Sequence, residues 1–340
     1  MTESKKRNAK KVKVMAAAGA TGVIGRHLIH AALAEGWEVR IFTRHPHRDS
    51  PFSGNPGVTI YPWEPAKAYH ELEKKKSTPH LNAIAAVIDG ADFLVNLAGS
   101  PIAAGRMNAL HKKEILESRV HSVEILAEAL KLCKKPPGVW GQASAVGLYG
   151  DTGEEIVDES CPPGDLFLSE TGVAWEKSAL ERVPKTCRLF IGRIGMVMAD
   201  DAPAWKKLAR VLRMGMGGPM GNGKQWYSWV DGDDLARAFL FLYQHGKDRE
   251  AYNLTAPEPI RQKEMMKIAA SMMRRPSFLP TPAFALKLIL GALAGELLLP
   301  SCRVSSEKIR RLGFRFRYDA MEKEMARLVL NIEHKAEENE

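Results

Sequence analysis

Gly19, Gly22 and Gly25 stand three residues apart in the run Gly19-Ala20-Thr21-Gly22-Val23-Ile24-Gly25. Glycine at this spacing lets a backbone turn tightly and approach a pyrophosphate closely. The chemistry implied is dinucleotide capture. A helix opening at Gly22–Val23 aims its free N–H groups and the positive end of its dipole at the phosphates. A glycine triplet alone is a weak signal, but this one has the right flanks. It follows the apolar run Val12–Ala18, leads into helical periodicity over Arg26–Glu35 closed by Gly36, and precedes a second strand-like run at Glu38–Thr43.

The end of that second run should select the nucleotide. An NAD site places Asp or Glu there for the ribose 2′-hydroxyl, and a carboxylate would repel a 2′-phosphate. This chain has Phe42-Thr43-Arg44-His45, with His47 and Arg48 close behind. Arg44 is a planar, permanently charged donor suited to a phosphate. The alternative is a surface arginine with no ligand. The cofactor expected is NADP(H).

These residues need a scaffold. Val58–Tyr61 reads as a third strand. Asp92–Leu97 reads as a fourth, ending at Ala98-Gly99, so Leu97 and Gly99 lie at a carboxyl end, where open α/β sheets bind ligands. Ala109–Lys131 is a long amphipathic helix, Gly138–Ala145 a strand leading to Gly147–Gly150, and Arg188–Met198 a further strand. Ile84–Asp89 reads as helical and the charged segment Lys67–Pro79 as a surface insertion. After Ala199 the texture changes. Met214–Gly223 is a glycine-rich loop that could wall a substrate pocket together with Gln225–Trp229. Asp233 and Asp234 cap a helix reaching Tyr243, and little strand follows Leu254. The expected fold is α/β: a Rossmann-type doubly wound parallel sheet over 12–200, with closing elements returning from 225–256. A small, mainly helical C-terminal lobe covers 201–330, between a disordered basic tail at 1–11 and a frayed tail at 331–340.

Composition narrows the function class. The chain has 340 residues, 45% hydrophobic and 26% charged, long enough to bury a core without disulfides or metals. Just over half of the net charge of +9 comes from residues 1–13, where Lys5, Lys6, Arg7, Lys10, Lys11 and Lys13 face Glu3 alone. This reads as a solvated tail, with weak contact to nucleic acid or anionic lipid as the alternative; nucleic acid is not an expected partner. Cys133, Cys161, Cys187 and Cys302 have no metal or CxxC spacing, and the ten histidines include no HxxxH or HExxH arrangement on a predicted helix, so no metal site is expected. With no secretory signal at the charged N-terminus, the expected location is cytoplasmic. Pro282–Leu299 is apolar except for Lys287 and Glu296. It lacks the run of about 20 apolar residues needed to span a bilayer, so no transmembrane segment is expected.

Beyond the glycine loop and Thr43-Arg44, an ordered series of segments runs from residue 12 to 330. It comprises Asn96–Ile102, Glu114–Val120, Ser144–Asp151, Trp175-Glu176, Arg193–Val197, Gly217–Gln225, Ser228–Val230 before Asp233–Leu235, Arg275-Pro276 and Gly313-Phe314. In this set the chain resembles the atypical extended short-chain dehydrogenase/reductases grouped as epimerase family proteins. The resemblance implies NADP(H) contacts at Thr43, Arg44, Leu97, Glu114 and Arg119 and near Val197, and Ala98 and Gly99, at the same strand end as Leu97, join the cofactor-binding candidates. For Arg119 a surface salt bridge is an equal alternative. Ordinary members of that superfamily use Ser or Thr with a YxxxK pair, whose Lys lowers the phenol's pKa. Here Lys177 is preceded four residues earlier by Val173, so that tyrosine is missing. The remaining catalytic candidates are Ser144, Tyr149 and Lys177. Each has a structural alternative: a strand-end serine, an aromatic under the substrate loop, and a solvated helix residue. The expected function is an NADP(H)-dependent oxidoreductase or epimerase on an unidentified small substrate. The alternative is a low-turnover NADP(H)-sensing protein with a protein partner, as some relatives are named cell-division inhibitors. Nothing in the sequence sets the oligomeric state.

Overall fold

β1 (Val14–Ala18) is buried almost throughout, because Val-Met-Ala-Ala-Ala offers small and apolar side chains to both faces of a sheet. It is an interior strand of a seven-stranded parallel sheet, seen in a computed structural model that describes residues 11–44, 46, 51–74 and 79–337. The other strands are β2 (Glu38–Thr43), β3 (Val58–Pro62), β4 (Phe93–Asn96), β5 (Val139–Ala145), β6 (Arg188–Ile194) and β7 (Glu250–Leu254). Their spatial order is β7-β6-β5-β4-β1-β2-β3. The order reverses between β1 and β4, and right-handed crossovers on either side of that point place the flanking helices on opposite faces.

α1 (Val23–Ala34) packs on α7 (Gly232–His245). On the other side lie α2 (Pro65–Lys74), α3 (Pro79–Ile88), α4 (Ala109–Lys131) and α5 (Phe167–Arg182). The C-terminal lobe holds α6 (Pro203–Arg213), α8 (Gln262–Met272), α9 (Ala283–Leu290), α10 (Glu307–Arg311) and α11 (Met321–Glu337). A second core, including Trp205, Leu212, Trp229, Met265, Met266, Met325 and Leu328, lies beneath α6, α8 and α11. Among the described residues no helix is long and apolar enough to cross a membrane, and no three His, Cys, Asp or Glu side chains cluster to hold a metal.

Four local readings change. Lys67–Pro79 is not a plain insertion. Its first part is α2, whose Ala68, Tyr69 and Leu72 meet the main core behind a heavily charged outer face. The strand read as Arg188–Met198 ends at Ile194, and Met196–Met198 leaves the sheet to pair with Trp229–Asp231. At the break, a Cβ on Gly195 would stand 2.7 Å from the Ser228 carbonyl oxygen, so the crossing requires glycine. The cap of α7 is Asp231, whose carboxylate accepts from the Asp233 and Asp234 N–H groups at 3.0 and 2.9 Å. Asp234 instead accepts from the Arg317 and Tyr318 N–H groups at 2.7 and 2.9 Å. Finally, α11 continues to Glu337, past the boundary drawn at 330. The basic tail, apart from Lys11, and the last three residues lie outside the described residues.

α11 is held by a buried charge cluster. Arg327 donates to Asp231 at 2.7 Å and to Glu324 at 2.6 Å, and both carboxylates are fully buried. Burial raises the Glu324 carboxyl from 4.5 to about 8, reinforced by Asp231 and Asp234 and opposed by Arg327. The folded chain therefore keeps this proton after the unfolded chain has lost it. Stability from this group is present below 4.5 and falls as pH rises through that window to about 8. E324Q is expected to flatten the decline, read by urea unfolding on either side of the window. An unchanged slope would remove Glu324 as its source.

Candidate nucleotide site and buried polar network

Ala18 is in register with Phe42 on β2 and Asn96 on β4, so Gly19, Thr43 and Leu97 leave three neighbouring strands at one level. Gly19 has φ +75°, and a Cβ there would stand 2.5 Å from the Leu97 carbonyl carbon. The glycine is needed both for the turn and for this close approach. A Cβ on Gly25 would stand 2.3 Å from the Ala20 oxygen, which locks α1 against its own entry loop. Ala20 is buried and Thr21 exposed, with the Thr21 carbonyl accepting from Arg26 at 2.8 Å. Gly22 caps α1 without a side-chain hydrogen bond, and the first turn, which includes Val23 and Ile24, has no acid. The helix N-terminus is left with its positive end available to an anion.

Thr43 is buried at the end of β2. Arg44 is exposed and has no carboxylate partner among the described residues; His45, His47 and Arg48 lie outside them. Beyond β4, Asn96 donates to Ser122 at 3.0 Å and Gln142 at 3.2 Å, while its carbonyl oxygen accepts from the Ala98 N–H at 3.1 Å. This fixes the turn Leu97-Ala98-Gly99. Over Gly99 lies Arg119, whose Cζ would be 3.0 Å from a Cβ at that position. Arg119 donates to the carbonyls of Ser100 and Ile115 at 3.1 and 3.0 Å, and its guanidinium lies 5.2 Å from the Trp175 ring. It has no carboxylate partner among the described residues, and burial lowers its pKa to about 10. The adjacent Trp175 Nε1 is buried with no hydrogen-bond acceptor among the described residues. Glu114 is exposed and accepts from Ser100 Oγ at 2.8 Å. Val197 pairs with Val230 beside the main core. A bare helix terminus, two arginines without carboxylates and a buried unpaired N–H together fit a dinucleotide carrying an additional phosphate.

The three catalytic candidates are not assembled as a proton relay. Ser144 is buried, and its Oγ donates to Glu176 at 2.6 Å. The next residue, Ala145, is the exposed one at the end of β5 and has no hydroxyl. The Tyr149 hydroxyl is also buried, donating to Asn253 and accepting from Arg193, both at 2.8 Å. Burial pushes its pKa to about 12, against the opposing pull of Arg193. Lys177 lies on α5 with its side chain 69% exposed, 3.9 Å from Glu181.

Glu176 and Arg193, which the sequence reading left without a role, join the two hydroxyls. Arg193 donates to Glu176 through Nε and Nη2, both at 2.9 Å, and to the Glu159 carbonyl at 3.2 Å. Asn253 continues the chain, donating from its backbone to the Glu159 carboxylate at 2.7 Å and from its side chain to the Ser305 carbonyl at 3.1 Å. The network thus ties β5, α5, β6 and β7 to the C-terminal lobe. The available signal was an arginine inside the apolar strand Arg188–Ile194, since a charge buried there demands a partner. The Gly217–Trp229 loop is also packed inward: the Gln225 amide donates to the Met220 and Leu298 carbonyls, both at 3.1 Å, and Tyr227 donates to Leu298 at 2.7 Å.

Comparison with known proteins agrees with this layout. A model of the NAD dependent epimerase/dehydratase family matches residues 16–184 and 198–255, and a domain of unknown function, DUF1731, matches 281–328. The chain is 33% identical over 305 residues to the epimerase family protein SDR39U1 homolog, chloroplastic, of Arabidopsis thaliana, covering 88% of this chain and 82% of that protein. It is 29% identical to an epimerase family protein of Mycobacterium leprae, over 91% of this chain and 93% of the relative. Among solved structures, human epimerase family protein SDR39U1, crystallised with NADPH, superposes with a TM-score of 0.80 at 25% identity, covering 94% of this chain and 99% of that one. With two thirds of its length under the family model and relatives aligned across most of the rest, the chain belongs to the NAD dependent epimerase/dehydratase family.

Proposed function

We propose that the chain binds NADP(H) and acts as an oxidoreductase or epimerase on a small-molecule substrate. Arg44 carries the cofactor reading: a guanidinium with no carboxylate partner among the described residues is exposed at the end of β2, near an α1 terminus that has no side-chain cap. The NADPH bound to human SDR39U1 supports the same assignment. The α1 terminus holds the pyrophosphate and Arg44 the 2′-phosphate. Thr43, Leu97, Ala98, Gly99, Arg119 and Val197 bound the rest of the groove, and Glu114 orients Ser100 at its edge. The nicotinamide supplies hydride transfer when bound. Tyr149, raised to about 12, stays protonated at neutral pH, so in this reading it donates a proton only once its hydrogen bond to Asn253 opens, while Glu176, itself held by Ser144, keeps its partner Arg193 in place.

Lys177 faces solvent, so K177A should change NADPH consumption less than about twofold. A loss of tenfold or more would return Lys177 to the catalytic set. A second reading, a low-turnover NADP(H)-sensing protein, is favoured by the engagement of both buried hydroxyls within the network. Titration with NADPH and NADH, followed by NADPH consumption against a panel of carbonyl compounds, separates the readings. Preferential NADPH binding with oxidation supports the enzyme, and binding without oxidation supports the sensor. Binding of neither nucleotide removes both.

A further inference from the structure

The C-terminal lobe carries an exposed apolar face that neither core covers. On α9, Leu286 is buried, and Leu290, together with Leu293 just beyond the helix, packs inward with Phe167, Leu168 and Ile115. Outward stand Phe284 (73% exposed), Leu288 (85%) and Ile289 (73%), with Phe284 and Leu288 one helical turn apart. Phe278, 75% exposed, and Met214 and Met216 after α6 extend the surface. The two segments are joined. Thr281 donates to the Pro219 carbonyl at 2.8 Å, Gly221 donates to the Thr281 carbonyl at 2.9 Å, and a Cβ on Gly215 would meet Pro276 at 3.5 Å.

Charge on the same segments has one sign. From Ala202 to Val230 there are five basic residues and no acid, and from Met265 to Gly295 there are four basic residues and no acid. Arg210, Arg213, Arg274, Arg275 and Lys287 are all exposed around the apolar face. The nearest acid on the C-terminal side, Glu296, is turned inward to the Leu168 N–H at 3.1 Å and to Lys112.

We propose that this face docks on an anionic lipid surface, with Phe278, Phe284, Leu288 and Ile289 entering the headgroup region and the arginines meeting lipid phosphates. An exposed apolar patch flanked by cations matches an interfacial membrane contact, and among the described residues no helix is both long and apolar enough to cross a bilayer. Nucleic acid would satisfy the cations but leave the apolar side chains uncovered in water. The proposal is independent of the cofactor assignment.

The test is co-sedimentation of the full-length protein with vesicles of phosphatidylcholine alone, or of phosphatidylcholine mixed with phosphatidylglycerol. Binding is expected on the mixed vesicles, weak on phosphatidylcholine, and reduced by added salt. F284S/L288S/I289S should keep the wild-type thermal transition, because these side chains are exposed, and lose binding roughly tenfold or more. R274E/R275E should lose it by a similar factor. Absent binding, equal binding to both vesicles, or an unaffected serine variant each overturns the proposal. So does self-association without vesicle binding that the serine variant abolishes, which would assign the face to a second copy. Duplex DNA binding that survives the serine substitutions, with no vesicle binding, would assign the charge to nucleic acid.

Discussion

R44A is expected to weaken NADPH binding roughly 10- to 100-fold while leaving NADH binding within about twofold. A hydrogen bond to a charged group contributes about 1.5–3 kcal/mol, and each 1.4 kcal/mol is a factor of ten. Only the 2′-phosphate distinguishes the two nucleotides, so a residue that contacts only that group must separate them. Arg44 is exposed at the end of β2 and holds no carboxylate among the described residues, so its removal should not disturb folding. Parallel calorimetric titrations with both nucleotides provide the measurement. Equal losses for NADPH and NADH would falsify the assigned role. R44K should recover part of the affinity, since an ammonium keeps the charge but loses the planar fork.

Loss of the buried pair gives the largest expected change in stability. Arg193 and Glu176 are both about nine-tenths buried, and each meets the other through two atoms. R193A leaves the Glu176 carboxylate without its cation and removes the Tyr149 donor, which is expected to cost about 3–5 kcal/mol. Urea unfolding would reveal this as a lower midpoint with little change in slope. The double substitution R193M/E176L removes both charges and should recover much of the loss, because paired removal leaves no uncompensated ion. A cost of under about 1 kcal/mol for R193A, the range of ordinary surface changes, would mean that the network does not hold the sheet to the C-terminal lobe. If the network also orients Tyr149, NADPH consumption in R193A should fall by more than the unfolded fraction accounts for.

The glycine loop, the strands through β5 and the 23 residues of α4 were legible because each depends on local information: hydrophobic period, glycine positions and helix-end residues. The position of Arg44 directly after β2 was legible for the same reason. The helix in Lys67–Lys74 was not, because its apolar stripe is three residues wide within a charged segment, and only the core opposite makes it helical. Nor was the break at Gly195, where the backbone at Ser228, more than 30 residues away, passes close to it.

The site divides along the same line. The sequence by itself determined the layout of the proposed groove, since Gly19, Gly22, Gly25 and Thr43 lie within one β-turn-α-β unit, Val14 to Thr43, with Arg44 the residue after it, and the geometry of that unit is set by near neighbours along the chain. Only the tertiary structure decided what surrounds it. Arg119 reaches Gly99 from 20 residues away, and Tyr149 finds Asn253 across 104 positions. Glu176 and Arg193 come from α5 and β6 to occupy the interior that Ser144 and Tyr149 face. Which hydroxyls are free to act depends on long-range partners for buried polar groups, and the folded packing supplies those partners.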